Sequence, residues 1–442
     1  MVRGRSVRVL FIAPSAYPLG GVAVWLDDVV QGLRSRGMHV QVGLVSGIHH
    51  AEDRYRKIYP ALEPIVRICN RTGTRYGRIL ALKKVVAQQD PDLVVGINIP
   101  DTFDAVNLLR QSGNRLHIVM AVHGIQQDLL NDVRHYQEVL DGVIVTNRLT
   151  SILIERMSEV LKERIQYAPY GVDLARYRIA RQSGQAENVP TVLWVGRLEE
   201  PQKRVLDLPS IARETISSGM DCRFLIVGDG PEGGTLRSQV NKMGIGDRFE
   251  FVKFVSKERI PNLYKKAQLL LLTSTWETGP IVVWEAMAAG LPVVTSRYIG
   301  CGREGALVDG MNCLMFDVGD VSDAANQIRR LMGNPDLCRQ LARSGVELIK
   351  KRYSLEASVD AWAHALERTM GYPPRGPKVL QRPSPAGRLD RWFGIEAGER
   401  LRSMWRKRYR ARDAGDEWPH TISKGQNELM FSAKSLDFVE EK

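Results

Sequence analysis

Short apolar runs alternate with amphipathic stretches along most of this chain. Residues 7–13, 40–45, 93–97, 118–122, 143–146 and 165–167 form one series of strand-length runs rich in Val, Ile, Leu and Ala. Runs apolar on both faces mark strands of a parallel sheet covered on both sides. Helical spacing fills the gaps between them, as at 22–36 and 76–88. A second series has strands at 191–195, 224–227, 249–251, 269–272 and 293–295, with helices at 205–217 and 233–243. Helices follow at 324–332, 335–352 and 355–370. Strand and helix alternating twice over predict an α/β chain with two Rossmann-like parallel-sheet domains. The polar stretch 178–188 reads as the linker between them. The expected division is 1–182 for the first domain and 183–354 for the second. A terminal helix over 355–372 is expected to cross back to the first domain. Residues 373–442 form a Pro-rich, then basic and aromatic tail, expected to be partly disordered.

One helix breaks the apolar pattern. Residues 276–292 read Trp-Glu-Thr-Gly-Pro-Ile-Val-Val-Trp-Glu-Ala-Met-Ala-Ala-Gly-Leu-Pro. Pro280 suits a first helical turn, where its missing N–H costs nothing. Gly290 and Pro292 supply the stop. The helix is apolar almost all round, so burial is expected. Glu285 nevertheless lies inside it, and Glu277 just before it. A buried carboxylate needs partners. One reading pairs it with a core Arg or Lys. The other places a ligand with hydroxyls and phosphates there, because a helix start offers N–H groups to an anion.

Composition narrows the partners. The net charge is +12 and the pI about 9.5, which favours an anionic partner without choosing among nucleotide, membrane surface and nucleic acid. The five cysteines, Cys69, Cys222, Cys301, Cys313 and Cys338, form no CxxC pair. They read as buried thiols of a reducing compartment, which makes the expected location cytoplasmic. The N-terminal Arg3, Arg5 and Arg8 before Val9-Leu10-Phe11-Ile12-Ala13 resemble a signal peptide, but the apolar run is too short and Pro14 follows at once. No run is long enough to span a membrane. Basic residues with Tyr55, Tyr59 and Tyr76 over 52–86 read as a solvated face or as a surface for an anionic membrane or acceptor. The tail over 388–412 is basic, with Leu389, Trp392, Phe393, Leu401, Met404, Trp405 and Tyr409 at near-helical spacing. It suits a membrane interface, or docking onto the chain's own first domain. Gly394 and Gly398 weaken such a helix by about 1 kcal/mol each.

Polar groups gather where strands end, the usual ligand edge of a parallel sheet. Gly20-Gly21 follows the first strand and allows close phosphate approach, though a plain tight turn explains it equally. His123 stands between Val122 and Gly124 at a strand end. Gly196-Arg197 follows a strand and Lys203-Arg204 precedes a helix, so both cations could neutralise a diphosphate or could be surface charge. Gly228-Asp229-Gly230-Pro231 forms a turn after another strand.

These residues resemble the retaining glycosyltransferases of family 4, with the GT-B fold, over roughly residues 7–370. The most specific match is the family's E-x7-E motif, here Glu277 and Glu285, followed by Ala-Met-Ala-Ala-Gly-Leu-Pro-Val-Val. Gly20-Gly21-Val22, Gly171-Val172-Asp173, Val195-Gly196-Arg197-Leu198 with Lys203, and Val227-Gly228-Asp229-Gly230-Pro231 support it in order. The resemblance implies two Rossmann-like domains facing each other across a cleft, the first binding the acceptor and the second the nucleotide-sugar donor. Arg197 and Lys203 would hold the donor diphosphate, Glu285 the ribose, and Glu277 the transferred sugar. The amides around Gly279, Pro280, Ile281 and Val282 would meet the distal phosphate, with Gly228 nearby. Phe254 and Val255 would rest against the base. Gly20 and Gly21 would approach from the first domain, and His123 would lie near the reacting sugar.

The implied reaction moves a sugar to a hydroxyl of a glycan, lipid-linked or small acceptor with retention. The implied donor is a UDP-sugar or GDP-mannose. No cofactor is expected, and no metal, since no DxD pair stands at a strand end. Two departures stand out: the usual Glu-Gly-Phe-Gly is Glu277-Thr278-Gly279-Pro280, and the acidic residue often found after the first Gly-Gly is Ala23. A nucleotide-sugar epimerase of the same plan and a non-catalytic scaffold are the competing readings. A peripheral position at the inner face of a membrane is compatible with the basic tail, and nucleic acid is not expected as a partner.

Overall fold

The structure is a computed structural model that describes residues 6–18, 20–177, 189–253, 255–381, 383–405, 410–422 and 428–438, with side chains in the last stretch from 433 onward. It forms two compact units, residues 1–146, 150–168 and 359–431 in one and 147–149, 169–358 and 432–442 in the other.

The first unit is built on seven parallel strands: β1 (Arg8–Ala13), β2 (His39–Ser46), β3 (Ile65–Cys69), β4 (Leu93–Ile97), β5 (His117–Val122), β6 (Gly142–Val145) and β7 (Ile165–Tyr167). Their order is β3-β2-β1-β4-β5-β6-β7. β1, β4, β5 and β6 are buried almost throughout, which is why their sequences carry unbroken apolar runs. The second unit has six parallel strands: β8 (Thr191–Val195), β9 (Arg223–Val227), β10 (Phe249–Val252), β11 (Leu269–Leu272), β12 (Val293–Ser296) and β13 (Leu314–Phe316). Their order is β10-β9-β8-β11-β12-β13. In both sheets the chain works outward to one side of its first strand, then returns to build the other side. The switch points are β1/β4 and β8/β11. Connections made that way leave a crevice beyond the strand ends.

The expected strands are all present, and β3 and β13 are additional. β3 is an edge strand inside the basic segment, and its Arg67 pairs with Glu52 at 2.7 Å. β13 is only three residues long, though all three are buried.

The first unit ends earlier than residue 182. The backbone N–H of Val172 donates to Tyr353 O at 2.9 Å, Leu355 N–H to Val172 O at 2.9 Å, and the Ser358 hydroxyl to Pro169 O at 2.6 Å. Those bonds bind residues 169–173 into the second unit. The terminal helix changes unit along its length, with residues from 359 onward in the first. There Trp362 packs against Trp25, ring centroids 4.6 Å apart.

The described tail is bound, where disorder was expected in part. His117 Nε2 meets Tyr372 O at 2.9 Å, Arg375 N–H donates to Asp141 at 2.7 Å, and Lys378 N–H donates to Asn107 at 2.8 Å. The basic aromatic stretch is two helices, Arg388–Phe393 and Ile395–Met404, broken at Gly394 with φ +80°. Buried Arg402 pairs with Asp390 and Glu399, and Glu399 accepts from the hydroxyls of Thr72 and Thr74. Docking onto the first unit therefore holds for these helices, while Trp392, Phe393, Met404 and Trp405 stay exposed. Near the end of the chain lies a further helix, Glu428–Asp437.

Much of the 52–86 segment faces inward. Tyr55 and Tyr59 are buried, Arg78 pairs with Asp101 at 2.6 Å, and Arg75 with Asp101 and Asp104, each at 3.1 Å. All five cysteines are free thiols, but only Cys222, Cys301 and Cys313 are buried, with Cys338 half-buried and Cys69 exposed on edge strand β3; burial pushes Cys222 up to about 11 and Cys313 to about 12.

Candidate active site

The β8/β11 switch of the second unit gathers most of the expected residues. The loop after β8 carries Arg197 and Lys203. The loop after β11 carries Glu277 and leads into the helix Ile281–Ala288. Lys203 Nζ lies 2.5 Å from Glu277 Oε1, so an ion pair joins the two loops across the switch. The same oxygen accepts from the Ser274 hydroxyl at 2.6 Å. Glu277 is buried, which makes both donors necessary.

Backbone bonds fix this corner. Gly196 N–H donates to Val227 O at 3.0 Å, Leu198 N–H to Asp229 O at 3.0 Å, and Gly228 N–H to Val252 O at 2.8 Å. Gly228 has φ +146°, and a Cβ there would fall 1.8 Å from Gly196 O, so no other residue fits the turn. Gly279 has φ +124°, and its Cβ would lie 2.6 Å from the Tyr170 ring. The Thr278-Gly279-Pro280 segment thus brings the backbone close to an aromatic ring.

The helix start differs slightly from expectation. Pro280 is the N-cap, with φ −71° and ψ 93°, and the helix begins at Ile281. No side chain caps it. Ile281 and Val282 are half-buried, whereas 283–288 are buried, so the apolar body anchors the helix and its N-terminal end stays near the surface. An uncapped helix start carries partial positive charge and favours an anion.

The Glu285 carboxylate accepts from the Tyr177 hydroxyl at 2.6 Å and from the Tyr264 hydroxyl at 2.7 Å. Burial, with the Glu285 charge second, holds the Tyr264 hydroxyl well above the usual tyrosine range, so it stays a donor. Neither tyrosine stood out in the sequence, because a lone Tyr near a helix carries no motif. Arg197 is exposed and pairs with Glu199 at 2.6 Å. Val255 is half-buried after β10, and Phe254 lies outside the described residues.

The first unit holds the other expected residues. Gly20 is the N-cap of the helix Gly21–Ser35, with φ −83° and no side-chain cap. A Cβ at Gly20 would meet only Tyr17 O at 3.6 Å, so its own backbone does not require glycine. His123 follows β5, and its ring lies 4.4 Å from that of Trp25 and 6.4 Å from that of Trp362. Desolvation pushes its pKa down to about 3, so the imidazole is neutral at pH 7. Among the described residues, no group of three or more His, Cys, Asp or Glu could hold a metal ion.

Comparison with known proteins gives this arrangement a context. Residues 176–347 match the family model for glycosyl transferases group 1. The chain is 30% identical over 189 residues to the alpha-D-kanosaminyltransferase of Streptomyces kanamyceticus, a match that spans 43% of this chain and about half, 48%, of that relative. It is 24% identical over 373 residues to the N-acetyl-alpha-D-glucosaminyl L-malate synthase of Bacillus anthracis, covering 80% of this chain and 95% of that one. Among solved structures it resembles Anabaena HepE in complex with UDP and glucose, with a TM-score of 0.70 at 20% identity, over 82% of this chain and all of that one.

Proposed function

We propose, for a chain of the family 4-like glycosyltransferases with the GT-B fold, the transfer of a sugar from a nucleotide-sugar to an acceptor hydroxyl with retention of configuration. The observation that carries it is the Lys203–Glu277 pair, which joins the loops after β8 and β11 four residues ahead of the uncapped helix start at Ile281. Cation and carboxylate meet on the loop that leads into the helix N-terminus. A sugar diphosphate has complementary groups in the same sequence, hydroxyls followed by phosphates.

In this reading the second unit binds the donor. Glu285 receives the ribose hydroxyls. A carboxylate accepts about four hydrogen bonds, so ribose can join or replace Tyr177 and Tyr264 there. Glu277 orients the transferred sugar through its hydroxyls. The N–H groups at Ile281 and Val282 and the Lys203 ammonium face the diphosphate. Arg197, exposed and paired with Glu199, can swing onto the same phosphates. Gly228 lets the backbone come close, and Val255 with Phe254 would flank the base.

Catalysis then follows from charge. As the sugar–phosphate bond lengthens, negative charge grows on the leaving diphosphate. Lys203, Arg197 and the helix start stabilise it, the kind of preorganised term that is usually largest. Glu277 Oε1 is already engaged by Lys203 and Ser274, which suits hydroxyl binding more than nucleophilic attack. The acceptor reacts on the face the diphosphate leaves, and a phosphate oxygen takes its proton. No metal is needed in this scheme. Gly20, Gly21 and neutral His123 belong to the first unit, which takes the acceptor; His123 can donate one hydrogen bond to a sugar hydroxyl.

A UDP-sugar is the first donor to test, because the HepE structure holds UDP. A cytoplasmic location fits five free thiols, and no described helix is long and apolar enough to cross a membrane. Exposed Trp392, Phe393, Met404 and Trp405 beside Arg388, Arg391 and Arg400 suit a peripheral contact with anionic lipid. The experiment is a panel of nucleotide-sugars, with release of nucleoside diphosphate measured with and without acceptors. Acceptor-stimulated release is expected. Conversion of the donor to an epimer with no diphosphate released would overturn the reading.

A further inference from the structure

In the first unit the tail lies over the loops that leave the strand ends. β1 sits at the switch between β2 and β4, with Ile12 opposite both Gly43 and Gly96. The loops leaving those three strands emerge together at the ligand edge of the sheet. Glu417, on the tail, accepts from Ile48 N–H at 2.6 Å, His49 N–H at 2.8 Å and His50 Nδ1 at 3.2 Å, all in the loop after β2. Trp418 is fully buried and donates to Ser46 O at 3.3 Å, at the last residue of β2. The His420 ring lies 5.7 Å from that of Tyr17, in the loop after β1. Ile422 N–H reaches Asp132 at 3.0 Å, on the helix after β5.

Buried polar atoms collect along the same edge. His50 Nε2, His420 Nε2, Asn98 Oδ1 and Thr102 Oγ1 are all enclosed and have no hydrogen-bond partner among the described residues. His50 is completely buried. Asn98 directly follows β4 and adopts φ +48°. Buried polar atoms normally find partners, and several unmatched ones along one strand-end edge point to a ligand that supplies them. Its chemistry follows from theirs. Burial lowers the pKa of both histidines, that of His420 to about 4, so each is neutral at pH 7. A neutral imidazole offers an anion no charge, but it can donate to or accept from a hydroxyl.

We propose that tail residues 413–422 form one wall of a site for a neutral polyhydroxylated molecule at the β1/β4 switch, with His420 and His50 as its hydrogen-bonding side chains. This rests on the glycosyltransferase reading, in which that molecule is the acceptor, and it makes the tail a determinant of acceptor choice. Glu417 acts as a positioning residue, since its carboxylate is taken up by His50 and the 48–50 loop.

The test uses the full chain and a defined probe set: the methyl glycosides of glucose, galactose, mannose and N-acetylglucosamine, with myo-inositol. Binding is titrated by saturation-transfer NMR for the wild type, His420→Ala and His420→Gln. At least one probe is expected to bind the wild type, to weaken tenfold or more in His420→Ala, and to recover to within about threefold in His420→Gln. Equal binding in His420→Ala, or no probe bound by the wild type, overturns the proposal. UDP titrated into the same three proteins reports on the second unit separately. Absent UDP binding with intact glycoside binding would sink the donor reading and leave this site standing.

Discussion

Removing Lys203 exposes how the candidate site holds itself together. Its side chain is 19% exposed and that of Glu277 8%, at a separation of 2.5 Å. Breaking a buried pair by deleting one partner typically costs about 3–5 kcal/mol, because the other charge is left uncompensated. Here Ser274 still donates to Glu277 and the lysine is partly wet, so Lys203→Met should cost about 2–3 kcal/mol. Glu277→Gln leaves an ammonium that can turn to water, and should cost about 1 kcal/mol. The double variant leaves no unmatched charge and should cost about 2 kcal/mol, a coupling of about 1–2 kcal/mol. Urea unfolding checks this through midpoint shifts at constant m-value. Donor turnover supplies the second readout. Loss of one preorganised group at the leaving diphosphate should slow it by about 10²–10³ in Lys203→Met. A coupling below about 0.5 kcal/mol together with unchanged turnover would refute the reasoning, since neither stability nor chemistry would then need the pair.

Three further outcomes are expected. Gly279→Ala forces an L-residue to φ +124° and a Cβ to within 2.6 Å of the Tyr170 ring, so a loss of at least about 1–3 kcal/mol is expected in thermal or urea unfolding, with weaker donor binding. His123 has a folded pKa of about 3 against an ordinary value of 6.5, so between those limits the unfolded chain binds the extra proton and stability falls as pH falls, by up to about 1.4 kcal/mol per pH unit. Unfolding of wild type and His123→Leu from pH 7 to 4 should differ by that slope, and parallel curves would contradict the shift. For the membrane contact, Trp392→Ser with Trp405→Ser should reduce co-sedimentation with anionic vesicles and leave donor hydrolysis unchanged; undiminished sedimentation would count against it. Point variants suit this better than truncation, because the tail's Trp418 and Arg402 are buried in the first unit.

The periodic apolar runs made most of the fold legible, since a strand covered on both faces must be apolar throughout. β3 escaped because an edge strand tolerates Arg67 in its middle, and β13 because three residues carry no period. The division between units was misplaced for a different reason. The polar 178–188 stretch marks a change of composition, but the backbone bonds of Val172 to Tyr353 and Leu355 decide which sheet owns the segment before it. At the candidate site, Glu277 and Glu285 were legible because charge beside an apolar helix is conspicuous, and Lys203 because a cation in a strand-end loop stands at the usual ligand edge. Tyr177 and Tyr264 were not, because a hydroxyl that satisfies a buried carboxylate looks like any other aromatic core residue. In the tail, docking onto the first unit was one of two readings the basic aromatic pattern allowed, and its partners were not legible: Glu399, Asp390, Arg402 and Glu417 find them in the first unit or within the tail itself. Burial of such groups depends on where their partners lie, some of them more than 300 residues away along the chain.

Calorimetric titration of UDP into the wild type and Glu285→Gln tests the donor assignment most directly. Gln keeps the shape and still accepts from one tyrosine, while the charged acceptor for ribose is lost. A hydrogen bond to a charged group contributes about 1.5–3 kcal/mol, so affinity should fall by at least about tenfold. Saturable one-to-one binding by the wild type with that loss in the variant is the predicted result. UDP binding of equal strength in both proteins, or none in the wild type, would contradict the account.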